Sequence, residues 1–113
     1  MVNILLANGF EEVEALTPCD MLRRAEIEVN LVSTEEDIYV TGNHGICVKC
    51  DKMLSEIADS EMVILPGGLG GVASISASPE ALDIIRYAWE NDKYTAAICA
   101  CHRLLRCEYS QTR

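Results

Sequence analysis

Cys99 stands directly behind the short apolar run YTAAI at 94–98, and a thiol in that position invites a chemical reading. A nucleophile on a sharp turn between a strand and a helix is lifted clear of the sheet. The positive end of the following helix would then favour its thiolate, the reactive form. The plainer alternative is that cysteine is among the most buried residue types and packs here as a small hydrophobe. A second chemical residue is Glu14, in GFEEVE, near the start of a helix that follows the first apolar run. A protonated carboxyl beside a thiolate donates to it and lowers the thiol pKa, whereas an ionised one raises it. Glu14 on its own also suits a helix start, where acidic groups favour the dipole. The third feature is PGGLGG at 66–71, whose glycines allow backbone amides to approach a ligand. The amides of Gly68 and Ala100 would together form an oxyanion hole; the alternative is an ordinary strand-to-helix turn. The run matches neither a phosphate-binding loop nor a dinucleotide fingerprint.

These residues need a scaffold, and the hydrophobic pattern supplies one. VNILLA at 2–7 is a nearly continuous apolar run of the kind that forms a strand buried on both faces. From Glu11 the pattern turns helical, with Val13, Leu16, Met21, Leu22 and Ala25 marking one face, Pro18 bending the helix, and Arg23 and Arg24 in its last turn. IEVNLV at 27–32 alternates as a second strand. Two short runs around Gly42-Asn43-His44-Gly45 predict a hairpin outside the main sheet, with a turn that needs positive φ. Leu54, Ile57 and Ala58 predict a short helix, MVIL at 62–65 a third strand, Ser78-Pro79 the cap of a helix reaching about residue 91, and 94–98 a fourth strand. Strands alternating with helices imply parallel β-α-β units in an α/β sandwich, in which the strand-to-helix turns gather at one end of the sheet. Glu14, Gly67, Gly68 and Cys99 would then meet in one crevice.

Composition narrows the function classes. A chain of 113 residues makes at most one domain, and a formal charge of -9 leaves no basic surface to bind nucleic acid. No apolar stretch is long enough for a membrane helix. The first residues lack the marks of a secretory signal, which predicts a cytoplasmic protein whose six cysteines are reduced.

Four blocks in order, ANGFEEVEALTPCDMLRRA, VTGNHGICVKCD, VILPGG and AAICA, resemble the ThiJ/PfpI superfamily, in the branch that contains the Parkinson-disease-associated protein and its bacterial relatives. The resemblance implies a flavodoxin-like parallel-sheet sandwich of the class I glutamine amidotransferase-like kind over 1–100, with its C-terminal part missing. It implies Cys99 as nucleophile or oxidation sensor, Glu14 as its hydrogen-bond partner, and Gly68 and Ala100 as backbone donors. It further implies cofactor-independent action on glyoxal-type carbonyls or glycated substrates, stress-response or chaperone roles, and a homodimer. Similar sequences also carry an older thiazole monophosphate biosynthesis label. The family histidine has no counterpart at a matching position. The tail CHRLLRCEYSQTR at 101–113 departs from the family text, and a frameshift near codon 101 is the origin that codon arithmetic suggests, if Arg103 is read from a CGN codon. Without the rest of the family fold the expected monomer is marginal or prone to aggregate. Two rival readings stay open. One is a non-catalytic remnant; the other is a zinc module using Cys47, Cys50, Cys99, Cys101 and His102, although cysteines three apart in a strand point to opposite faces.

Overall fold

A computed structural model describes residues 1–57 and 59–98. Five strands form one parallel sheet: β1 Val2–Leu6, β2 Val29–Ser33, β5 Lys52–Met53, β6 Met62–Leu65 and β7 Tyr94–Ala97, in the order β5-β2-β1-β6-β7. Three helices connect them: α1 Glu12–Arg24, α2 Leu69–Ser76 and α3 Pro79–Glu90. A separate antiparallel hairpin pairs β3 Tyr39–Thr41 with β4 Cys47–Lys49.

The sheet alternates between two cores, as side chains of period two must. Val2, Ile4 and Leu6 of β1, Val29 and Leu31 of β2 and Ile64 of β6 pack with Ala15 and Cys19 of α1 and Val40 of the hairpin. Leu5, Val32, Val63 and Leu65 point the other way, onto Ile75 of α2 and Ala81, Ile85 and Ala88 of α3. A strand covered on both faces has no room for polar alternation, which is why MVIL reads as an unbroken apolar run and VNILL is broken only by Asn3.

The α/β sandwich, β1, the hairpin outside the sheet, β6, α3 and β7 follow the expectations from sequence. Gly45, at φ 81°, supplies the positive dihedral in the hairpin turn, and the Ser78 hydroxyl accepts the Ala81 N–H at the start of α3. Four details differ. The apolar face assigned to α1 is wrong: Val13 is 67% and Met21 61% exposed, and Ala25 is exposed too. The buried stripe is Glu12, Ala15 and Cys19, of which Ala15 and Cys19 are small enough to let the helix lie close to the sheet, flanked by half-buried Leu16 and Leu22. Strand β2 begins at residue 29 rather than 27 because the end of α1 uses the intervening residues: Glu26 is left-handed at φ 63°, and the Ile27 N–H bonds back to the Leu22 carbonyl. The short helix near 54 is a single 3-10 turn, Leu54–Glu56; Ala58 lies outside the described residues. Helix α2 was not expected at all, since its sequence LGGVASIS reads as a glycine-rich loop.

Candidate active site

Strand order locates the site before any side chain is considered. From β1 the chain passes to β2 on one side, and later returns to place β6 on the other. Two neighbouring strands whose connections leave in opposite directions open a crevice at their carboxyl ends, where ligands of such sheets bind. The crevice walls here are the β1–α1 turn at 7–11 and the β6–α2 turn at 66–68.

Backbone packing holds those walls together. A Cβ on Gly68 would overlap the Gly9 carbonyl and lie 2.9 Å from the Glu11 nitrogen. One on Gly71 would come within 3.1 Å of Phe10 Cα, and one on Gly9 within 3.0 Å of Gly70 Cα. Gly68 also sits at φ 98°, in the region that glycine alone adopts freely. The glycine run therefore serves turn-against-turn contact, a task its sequence did not reveal. Gly67 then bridges the walls twice: its carbonyl accepts the Glu11 N–H at 3.0 Å, and its own N–H donates to Glu14 Oε1 at 2.8 Å.

Glu14 and the Gly67–Gly68 turn, predicted to converge, do so. Glu14 reaches the turn from the second residue after Glu12 on α1, and Gly68 caps α2, its carbonyl accepting the Val72 N–H. Strand β7 lies parallel to β6, and the Ile98 N–H donates to the Leu65 carbonyl at 3.0 Å, immediately before Pro66 and Gly67. Cys99 and Ala100 fall outside the described residues, as do Cys101 and His102.

A second cluster abuts the first and was missed in the sequence. Glu12, only 3% exposed, accepts the His44 N–H at 2.7 Å and the Ile46 N–H at 3.2 Å through Oε2, and faces His44 Nδ1 at 3.1 Å through Oε1. Burial alone would raise the Glu12 pKa, but these donors, its own N–H and the His44 ring outweigh it and bring the group down to about 2. The same contact moves His44 upward: the Glu12 hydrogen bond contributes most, followed by the charges of Glu11 and Glu12. A Cβ on Gly42 would lie 2.5 Å from Glu12 Oε2, so a side chain there would displace the carboxylate from its present place under the hairpin turn. The two partners are 32 residues apart, and no local pattern announces a buried glutamate among three acids in EEVE.

Among the described residues Glu11, Glu12 and His44 bring carboxylate and ring atoms within 4.8 Å of one another. Amide donors and the positive end of α1 already satisfy Glu12 at that point. The Cys47 and Cys50 pair separates as strand geometry requires: Cys47 is exposed and Cys50 buried. Burial, then Asp51 and Cys47, push the Cys50 thiol up to about 12, which leaves it unreactive as a thiolate.

Comparison with known proteins agrees with this geometry. Residues 1–109 match the profile of the DJ-1/PfpI family. The chain is 33% identical over 100 residues to protein DJ-1 homolog A of Arabidopsis thaliana, covering 87% of this chain and 26% of that protein. It is 34% identical over 97 residues to deglycase PfpI of Pyrococcus furiosus, covering 84% and 57% respectively. Among solved structures, oxidized DJ-1 of Toxoplasma gondii superposes with a TM-score of 0.91 at 31% identity, over 96% of this chain and 60% of that one. A cysteine-to-alanine mutant of a DJ-1 superfamily protein from Salmonella typhimurium gives 0.89 at 36% identity, over 94% and 59%. The chain spans from about a quarter to just over half the length of these curated relatives.

Proposed function

The chain belongs to the DJ-1/PfpI family, and on that premise we propose that it is a cysteine-dependent protein of the deglycase or glyoxalase type, acting on small reactive carbonyls or glycated substrates, with Cys99 doubling as an oxidation sensor. The observation that carries this reading is the 2.8 Å bond from the Gly67 N–H to Glu14 Oε1, which fixes a carboxylate at the crevice where the strand order reverses. In the proposed first step the Cys99 thiolate adds to a carbonyl carbon and the π pair moves onto oxygen. The amides of Gly68 and Ala100 stabilise that oxyanion, and the Glu14 carboxyl, having taken the thiol proton, returns it to the oxygen to give a neutral hemithioacetal. No cofactor enters the step.

Two features support further parts of the proposal. Exposed Val13 and Met21 on α1 and exposed Ile46 on the hairpin offer apolar surface for a homodimer. Among the described residues no helix is long and apolar enough to cross a membrane, which is compatible with a cytoplasmic setting.

Methylglyoxal consumption by the natural protein, Cys99→Ser and Glu14→Gln tests the reading, together with intact-mass analysis after graded peroxide. Turnover is expected to vanish in Cys99→Ser and to fall about 100-fold in Glu14→Gln, with two oxygens gained at Cys99 in the natural protein. Turnover that survives in Cys99→Ser, or indiscriminate oxidation of all cysteines, would overturn it.

A further inference from the structure

The hairpin turn is fastened to the crevice by two kinds of bond. One kind is neutral. The Asn43 N–H donates to the Phe10 carbonyl at 2.8 Å, the Gly9 N–H to the Thr41 carbonyl at 2.9 Å, and the Thr41 N–H to Asn8 Oδ1 at 3.0 Å. These stitch the turn to the β1–α1 wall, which in turn packs on the β6–α2 wall through its glycines. The other kind carries charge. His44 Nδ1 stands 3.1 Å from Glu12 Oε1 and 3.8 Å from Glu11 Oε1, so two carboxylates from the start of α1 face one ring nitrogen.

From this geometry we propose that His44 is a proton-operated clasp, which binds the Gly42-to-Ile46 turn more firmly to the head of α1 when its ring is charged and so stiffens the wall that carries Glu14. The proposal does not depend on which reaction the crevice performs.

Chemistry fixes the direction. A neutral ring with its proton on Nδ1 still donates to Glu12, so titration does not remove the hydrogen bond; it removes the attraction of a cation to two anions. The groups facing the ring are Glu11 and Glu12 of α1. The rest of the turn, Gly42, Asn43, Gly45 and Ile46, has no titratable side chain, and neither do Asn8, Gly9 and Phe10 opposite or 66–71 beyond them. Glu35 reaches the same stack from the other side, at the Asn8 N–H. The raised pKa of His44 places the stabilisation below the ordinary histidine value, where it is complete, and removes it as pH rises through the folded value. The neutral stitches persist throughout, so the turn tightens and slackens without detaching.

Amide hydrogen exchange on the full chain tests this. The Asn43, His44 and Ile46 amides are followed at about pH 5 and about pH 8, corrected for intrinsic rates and referred to the Ala81 amide at the cap of α3. Their protection is expected to be about two- to fivefold greater at the acid end, the scale of an exposed ion pair. It should be independent of pH in His44→Gln, and both high and independent of pH in His44→Arg. Equal protection at the two pH values in the natural protein, or a dependence that survives in His44→Gln, overturns the proposal. A separate arm leaves buried Glu12 in place: Glu11→Gln should lower the midpoint of the His44 ring titration followed by NMR, and an unchanged midpoint also overturns it.

Discussion

The two ends of the sheet are held by different chemistry. At the carboxyl end, carboxylates accept backbone amides: Glu14 from Gly67, Glu12 from His44 and Ile46, Glu35 from Asn8. At the amino end the buried ties are neutral, and an ion pair between the Met1 ammonium and Glu61 Oε1 at 3.2 Å lies at the surface. Buried Asn3 donates to Ser60 Oγ at 2.7 Å and accepts from Asn30 Nδ2 at 3.2 Å, and the Glu61 N–H meets the Met1 carbonyl. The amino end also holds a cavity of about 170 Å³ lined by Ile57, Asp59, Ser60, Asp83, Ile84, Tyr87 and Ala88. That cavity lies at the opposite end from the crevice. The comparison teaches that buried charge collects at the crevice end of this molecule, and that acid should loosen that end before the other.

Three measurements would break or sharpen the contrast. The largest effect is expected from Gly68→Ala, which forces a side chain into left-handed backbone and into the Gly9 carbonyl. Urea unfolding should show a loss of about 3 kcal/mol, and a loss below about 1 kcal/mol would mean that the two walls part readily. Next comes Asn3→Ala at the amino end, which strands the buried Ser60 hydroxyl and the Asn30 amide. A loss of about 1 to 3 kcal/mol is expected, the same at pH 5 as at pH 7; a pH-dependent loss would contradict a neutral buried network around Asn3. The third variant is Glu12→Gln, which keeps one acceptor oxygen but removes the charge that the amides of His44 and Ile46 favour. Its signature is in acid. Because the Glu12 pKa is depressed from 4.5 to about 2, its contribution is present above 4.5 and disappears as pH falls toward 2. Melting temperatures across that window should decline less steeply in Glu12→Gln than in the natural protein, and parallel declines would remove Glu12 from the account.

Legibility in the sequence followed the same division. Strands β1 and β6 and helix α3 could be read because burial on two faces, or a serine cap followed by proline, leaves a local trace. Glu14 was reached by topology, since turns of a parallel sheet collect at one end. Helix α1 was assigned the wrong face because its apolar residues Val13 and Met21 face outward while an acid is buried, a reversal that only the amides of a distant hairpin make favourable. Helix α2 escaped because Gly70 and Gly71, each costing about 1 kcal/mol in a helix relative to alanine, read as a loop until Gly9 and Phe10 are seen against them. Two-residue β5 is too short to carry any periodicity.

The central position of β1 also bears on how the chain is made. It is made before either of its neighbours in the sheet and is buried on both faces, yet one of its two hydrogen-bonding edges has to wait for β6, more than fifty residues later. At ordinary rates of synthesis that interval is on the order of seconds. During it the nascent chain displays an unpaired hydrophobic strand, which makes the newborn polypeptide, before any crevice exists, a natural client for holding chaperones.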